Sequence, residues 1–428
     1  MQKILYPSKA EWGALLARPD NGLDDVYDTA RGILGDVKRN GDEALLKYTR
    51  MFDGAAPEGL QVRPDEIEVA VRQVSDELKE ALSMAFKNIE AFHRSQQRQN
   101  TVVETMPGVS CWQKSVPIDR VGLYIPGGTA PLFSTVLMLG IPATIAGCSE
   151  IVLCTPANAK GEVHPAILYA ASLVGVTRIF KLGGIQAIGA MAYGSDSVPK
   201  VDKIFGPGNR FVTAAKQLVS LKDVAIDMPA GPSEVMIMAD DSAVPEFIAA
   251  DLLSQAEHGA DSQVVLLATS EELLQQVKVA LTAQLESLPR KEVASKALQN
   301  SRMIVLESED EMVAMCNEYA PEHLIIAMND EEGVAQKVRN AGSVFLGNYS
   351  PESAGDYASG TNHTLPTHGY ATAFSGVNLD SYMKQITFQK ITQSGLKRIG
   401  PSIEVMAAAE QLDAHKNAVS VRLKKMDL

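Results

Sequence analysis

The sequence predicts an α/β protein built as two lobes with parallel sheets. Two observations carry this reading. From Val121 onward, short apolar stretches alternate with helical ones, the pattern of parallel strands joined by crossover helices. That alternation comes in two runs, before and after about Pro232. Composition agrees. The 428 residues, 46% hydrophobic and 21% charged, are ordinary for a globular protein and exclude collagen, coiled coil and wholesale disorder. The length allows a sizeable core.

Each element can be justified in chain order. The N-terminus lacks a long apolar run, so no signal peptide is expected. From about Asp24 to Asn100 the chain reads as helical. Leu34, Val37, Leu45, Leu46 and Tyr48 give partial helical spacing, and Leu78, Leu82, Ala85 and Ile89 a cleaner stripe. No charged residue occurs from Val121 to Ser149, a stretch long enough to span a bilayer. Pro126, Gly127, Gly128, Pro131, Pro142 and Gly147 interrupt it, so it reads as buried strand, loop and buried helix. Strands are expected at Val121–Ile125, Glu150–Cys154, Arg178–Leu182, Lys203–Phe205 and Val235–Met238, with helices such as Pro165–Val174 and Arg210–Val219. Further strands fit Gln263–Ala268, Met303–Leu306, Leu324–Ala327 and Val344–Leu346. The tail from about Ser381 reads as helix and loop, with a helix near Ile403–His415. A ligand cleft is expected where the strands end.

Charge and cysteines narrow the function. With 39 Lys+Arg against 52 Asp+Glu, the net charge of −13 excludes a global basic footprint for nucleic acid. Cys111, Cys148, Cys154 and Cys316 form no CxxC pair and read as reduced thiols of a cytoplasmic protein.

Three strands run into glycine-rich turns: Leu123-Tyr-Ile-Pro-Gly-Gly128, Phe205-Gly-Pro-Gly-Asn209 and Met228-Pro-Ala-Gly-Pro-Ser233. Such turns let backbone N–H groups approach a phosphate, or they are simply tight turns. GxGxxG is missing, because Gly206-Pro-Gly208 is followed by Asn209, Arg210 and Phe211. No P-loop occurs either, so motif rules alone do not identify a dinucleotide enzyme.

Five of the seven histidines follow residue 250. In Asp251-Leu-Leu-Ser-Gln255-Ala-Glu-His258-Gly259, Gln255 and His258 share one helix face, and Gly259 suits a C-terminal cap. That face offers an oxygen and a nitrogen to a metal, or His258 merely complements the helix dipole. Glu322 and His323 precede the apolar run Leu324-Ile-Ile and offer two acid/base groups at a cleft edge, or a solvated strand start. The segment Ser353-Ala-Gly-Asp356-Tyr-Ala-Ser-Gly-Thr-Asn-His363 is small, polar and turn-forming, suited to a functional or an exposed loop. His93 and His164 read as structural and His368 as surface. Glu410 and His415 lie on a helix and its end, five residues apart. Imidazole with oxygen ligands suits Zn²⁺, with Mn²⁺ or Co²⁺ as competitors. These residues leave three functions open: a zinc dehydrogenase, a zinc hydrolase using Glu322 to activate water, and a metal-dependent binding protein.

Longer strings narrow the choice. Val121-Gly-Leu-Tyr-Ile-Pro-Gly-Gly128, Phe205-Gly-Pro-Gly-Asn209, Leu253-Ser-Gln-Ala-Glu-His258, Pro321-Glu-His323 and Ala354-Gly-Asp-Tyr-Ala-Ser-Gly-Thr-Asn-His363 resemble the histidinol dehydrogenases, in the family's order. The resemblance runs from about Asp24 to Asn417. It implies a homodimer with incomplete Rossmann-like lobes, and helical N-terminal and C-terminal segments. L-histidinol would be oxidised through histidinaldehyde to L-histidine, with two NAD⁺, one water and one Zn²⁺ per subunit. Gln255, His258, Asp356 and His415 match the zinc ligands, and Glu322 and His323 the acid/base pair. Tyr124, Gln186 and Asn209 match NAD-binding positions; Ser233, His363 and Glu410 match substrate-binding ones, joined there by His323 and the metal ligands. Glu410 and His415 would act in the partner subunit's site. The expected division is an N-terminal segment to residue 23, a first lobe from 24–123 and 233–380, a second lobe from 124–232, and a tail from 381.

Overall fold

The computed structural model describes residues 1–19, 24–54, 59–127, 130–229 and 231–426. Gly128 and Ala230, both in the turns singled out above, lie outside the described residues. The chain divides into two compact units. The first comprises Met1–Gln96 and Ile118–Tyr382, the second Gln97–Pro117 and Met383–Leu428.

The first unit holds two parallel sheets. One has six strands in the order Gln2–Leu5, Arg302–Val305, Gln263–Ala268, Glu234–Ala239, His323–Ala327 and Ser343–Leu346. The other has five, in the order Arg178–Lys181, Glu150–Thr155, Arg120–Tyr124, Lys203–Phe205 and Ala225–Ile226. Past their first residues, the central strands Glu234–Ala239, Gln263–Ala268 and His323–Ala327 are apolar because both faces are covered, as parallel sheets require. In Glu234–Ala239, Val235 and Ile237 pack into one cluster, while Met236 and Met238 pack into the opposite one. The expected strands and crossover helices are present, with boundaries moved by a residue or so. The uncharged stretch resolves into a strand and the helix Phe133–Ala146, ended by Gly147 at φ 88°. Among the described residues no helix is long and apolar enough to cross a membrane.

Four differences from the sequence reading have physical causes. Gln2–Leu5 is a strand, pairing with Arg302–Val305 some 300 residues away, which a local reading cannot see. Residues 24–123, expected with the first lobe, contribute mainly to the other one. Helix Asp24–Phe52 packs on Gly184–Tyr193 and Arg210–Ser220, and Asp76–Arg94 packs on Phe133–Ala146. Their apolar stripes, Leu34, Val37 and Leu45 and then Leu82, Ala85 and Ile89, enter the two clusters flanking the five-stranded sheet.

The other two differences concern the tail. The second unit carries an antiparallel sheet, with Met383–Ile391 pairing along its length with Val109–Pro117, and Val103–Met106 beyond. Residues expected as helix and loop are therefore strand. Ile386, Thr387, Phe388 and Ile391 favour a pleated surface, and their partner is distant in sequence. The helix expected near Ile403–His415 is two helices, Gln393–Ala409 and Asp413–Met426. The break falls at Gln411, whose φ of 60° is left-handed.

Candidate active site

The site of the six-stranded lobe gathers where neighbouring strands begin. Glu234 and His323 open adjacent parallel strands, with His323 in register with Val235. The Glu234 N–H donates to Glu322 Oε2 at 2.9 Å, and its carbonyl lies 3.3 Å from His323 Nδ1. One main-chain residue therefore holds both members of the expected acid/base pair. The carbonyl is an acceptor only, so Nδ1 carries the proton and Nε2 is left as the basic nitrogen. Nε2 is buried without a hydrogen-bond partner and faces Asp356 Oδ1 at 3.7 Å.

Burial shifts both groups of the pair. It pushes the Glu322 carboxyl well above the ordinary carboxylate range, helped by the charges of Glu234 and Asp356 and opposed by the Glu234 N–H. Burial, with His258 and His363 nearby, lowers His323 to about 3 against the pull of the Glu234 carbonyl. The imidazole is thus neutral, with Nε2 unprotonated.

A cluster of side chains able to ligate a metal adjoins this pair. Among the described residues, His258, Glu352 and Asp356 bring one ligand atom each within 4.8 Å of one another. Glu352 and Asp356 are one turn apart on the helix Glu352–Tyr357, which packs on Pro245–Ala256. Gln255 lies in the last turn of that second helix, fully buried, with neither amide atom bonded. The helix stops at Ala256 with Glu257 as its cap, so Gly259 is not the cap and His258 sits in the following turn, its N–H on the Gln255 carbonyl. Burial raises the Glu352 and Asp356 carboxyls. Orphaned buried amide and carboxylate oxygens beside an imidazole are what an oxygen/nitrogen metal site requires. The donor set fits zinc.

Tyr124, Gln186 and Asn209 converge on a cleft of about 1460 Å³ in the five-stranded lobe. Tyr124 ends its strand, and its hydroxyl accepts from the Gly184 N–H at 3.0 Å. Gln186 lies in the first turn of Gly184–Tyr193, fully buried with both amide atoms unpartnered. Asn209 caps Arg210–Ser220, accepting from the Phe211 and Val212 N–H groups. Two helix N-termini and an unbonded amide suit an anionic dinucleotide. Close approach needs glycine here: a side chain on Gly127 would meet Pro156 at 2.3 Å.

The remaining expected residues divide. Ser233, half-buried, immediately precedes Glu234. His363 bridges the lobes, with Nδ1 3.0 Å from the Asp356 carbonyl and Nε2 3.1 Å from Thr135 Oγ1. Glu410 and His415 belong to the second unit and are exposed, one capping a helix and the other in the first turn of the next. His93 is buried with Nδ1 on the Ile89 carbonyl, and His368 is exposed. His164 caps Pro165–Val174 and also lines the cleft. Sequence reasoning missed Glu352, although its i,i+4 spacing from Asp356 was a signal. It also missed Asp53, a cleft carboxyl that accepts the Gly183 N–H and is pushed up by burial to about 6.

Comparison with known proteins gives a consistent result. Residues 16–423 match the family model described as histidinol dehydrogenase. The histidinol dehydrogenase of Bacteroides thetaiotaomicron is 61% identical over 423 residues, 99% of each chain. That of Salmonella typhimurium is 53% identical over 413 residues, 96% of this chain and 94% of the other. The crystal structure of histidinol dehydrogenase from Elizabethkingia anophelis superposes with a TM-score of 0.98 at 56% identity, covering 100% of this chain and 99% of that one.

Proposed function

The chain belongs to the histidinol dehydrogenase family of NAD-dependent oxidoreductases, and from that premise we propose that it oxidises L-histidinol through histidinaldehyde to L-histidine in two steps. Each step would use one NAD⁺, and the second would consume water. The observation that carries this reading is the single residue Glu234 holding both Glu322 and His323 beside a metal-ligating cluster.

Gln255, His258 and Asp356, with His415 from a second copy, would hold zinc, which supplies a fixed anchor for the substrate's nitrogen atoms. Ser233, His363 and a second copy's Glu410 would complete substrate binding. Tyr124, Gln186 and Asn209 would position NAD⁺, the hydride acceptor. His323 Nε2 takes the hydroxyl proton as hydride leaves the carbinol carbon. For the aldehyde, His323 first releases its proton to solvent, and Glu322 removes a proton from water as the water adds to the carbonyl carbon, giving the hydrate as its monoanion. Loss of the remaining hydroxyl proton to His323 and of a second hydride to the second NAD⁺ would then give the carboxylate. The aldehyde would stay bound between the steps, because the free species is reactive. A homodimer follows from this assignment, as does a place at the end of histidine biosynthesis in the cytoplasm.

The test is NADH formed per L-histidinol consumed to completion, with zinc supplied and then chelated. Two NADH per substrate, lost on chelation and restored by zinc, is the expected result. One NADH would reduce the activity to alcohol oxidation and remove the role given to Glu322. No NADH from folded, zinc-loaded protein would overturn the reading.

A further inference from the structure

We infer that Arg18, in the N-terminal segment, is a positioning residue for the reaction, setting the placement of Glu322 and His323 through Glu234 and Tyr319. The inference rests on the acid/base roles proposed above. Arg18 holds the Glu234 carboxylate in a fork, Nε to Oε2 at 2.5 Å and Nη2 to Oε1 at 2.8 Å. The same Nη2 donates to the Tyr319 carbonyl at 2.6 Å, and the guanidinium lies 3.9 Å above the Tyr319 ring. The Tyr319 hydroxyl donates to Gln263 Oε1 at 2.8 Å and lies 3.3 Å from Glu234 Oε2. The Gln263 amide is in turn fixed on the Ala17 and Asn300 carbonyls.

The clamp thus grips both chain segments that supply the acid/base pair. Glu234 holds Glu322 and His323 by its own N–H and carbonyl. Tyr319 lies three residues before Glu322, and between them Ala320 sits at φ 51°, a conformation costly for a residue with a side chain. Stability alone does not account for this arrangement. Buried ion pairs are often replaced by apolar residues without loss, whereas a fork fixes orientation. The side chains of Arg18 and Glu234 are 15% and 3% exposed, so little solvent motion reaches the pair.

The test compares Arg18→Ala, Arg18→Lys and Tyr319→Phe at a temperature where each is folded by circular dichroism. For Arg18→Ala, kcat should fall about 10- to 100-fold, the scale of an ångström-sized misplacement. Alcohol and aldehyde oxidation should lose equally, because Glu234 holds both groups. KM for L-histidinol and NAD⁺, and zinc per chain, should stay near wild type. Arg18→Lys should lie between. Tyr319→Phe, which keeps the ring and removes only the hydroxyl bonds, should lose a few-fold in kcat, and it decides the matter if Arg18→Ala does not fold. Folded variants with wild-type kcat, or a kcat loss matched by zinc loss or raised KM, would overturn the inference. Glu322→Gln and His323→Asn run alongside. If those two leave turnover intact, the acid/base assignment fails; if they depress it while the clamp variants do not, only the positioning role fails.

Discussion

Both lobes of the first unit fix a segment of a proposed site with a buried ion pair, but they present different atoms. In the six-stranded lobe, Arg18 and Glu234 stand behind a set of side chains: Glu322, His323, Glu352, Asp356 and Gln255. In the five-stranded lobe, Lys216 and Asp227 stand behind a glycine turn. Lys216 Nζ donates to the Gly206 carbonyl at 2.7 Å, while Asp227 accepts the Gly206 and Met228 N–H groups. Gly206 is at φ 123°, and a side chain there would meet the Tyr124 carbonyl at 2.1 Å. One lobe gathers several titratable groups within a few ångströms of one another, shifted by burial. The other, in the function proposed above, shapes backbone to receive NAD⁺. Damage to the first should therefore appear in kcat, and damage to the second in KM for NAD⁺.

The largest effect expected is at the acid/base pair. His323→Asn removes the basic Nε2 and should lower kcat about 10²- to 10⁴-fold in both oxidations, the usual scale for a positioned base. Glu322→Gln keeps the shape and should depress aldehyde oxidation more than alcohol oxidation. Separate assays from L-histidinol and from histidinaldehyde check this. Survival of alcohol oxidation in His323→Asn would require another base, and equal losses in Glu322→Gln would remove its water-activating role.

Next comes the five-stranded lobe, to which NAD⁺ binding is assigned above. Lys216→Met leaves Asp227 buried without its cation and should cost about 3–5 kcal/mol of stability, the range for breaking a buried pair. Urea unfolding measures that cost. Steady-state rates on the folded variant should show a raised KM for NAD⁺ with kcat at saturating NAD⁺ nearly kept. A fall in kcat at unchanged KM would erase the distinction between the lobes.

The same contrast explains what was legible in the sequence. The parallel strands could be read because burial on both faces writes continuous apolar runs such as Val235–Met238. Candidate site residues stood out as polar groups beside those runs. The strands Gln2–Leu5 and Met383–Ile391 were not legible, because distant partners stabilise them. Glu234 was hidden as the first residue of an apolar strand, since its role lies in main-chain bonds and in a partner 216 residues away. Glu352 fell one residue outside the polar segment that drew attention. Which of two plausible readings held for Glu322 and His323, solvated strand start or buried pair, was decided by packing, with each about 5% exposed.

The smallest effect expected is the pH dependence of zinc binding, and its sign follows from burial. Burial raises the Asp356 carboxyl from its ordinary 3.8 to about 7, so below that pH a metal must displace a proton from it. His323 and His363, held down to about 3 and 4, are already neutral and contribute nothing over the same range. Zinc affinity should therefore rise with pH through this range, by up to about tenfold per unit for each proton displaced. Competition with a chelator of known affinity, from pH 5.5 to 8.5, measures the curve. Asp356→Asn has no such proton to lose and should bind zinc more weakly, with a shallower slope. A wild-type curve flat across this range would mean that the Asp356 carboxyl is ionised throughout, and that burial does not hold a proton on it.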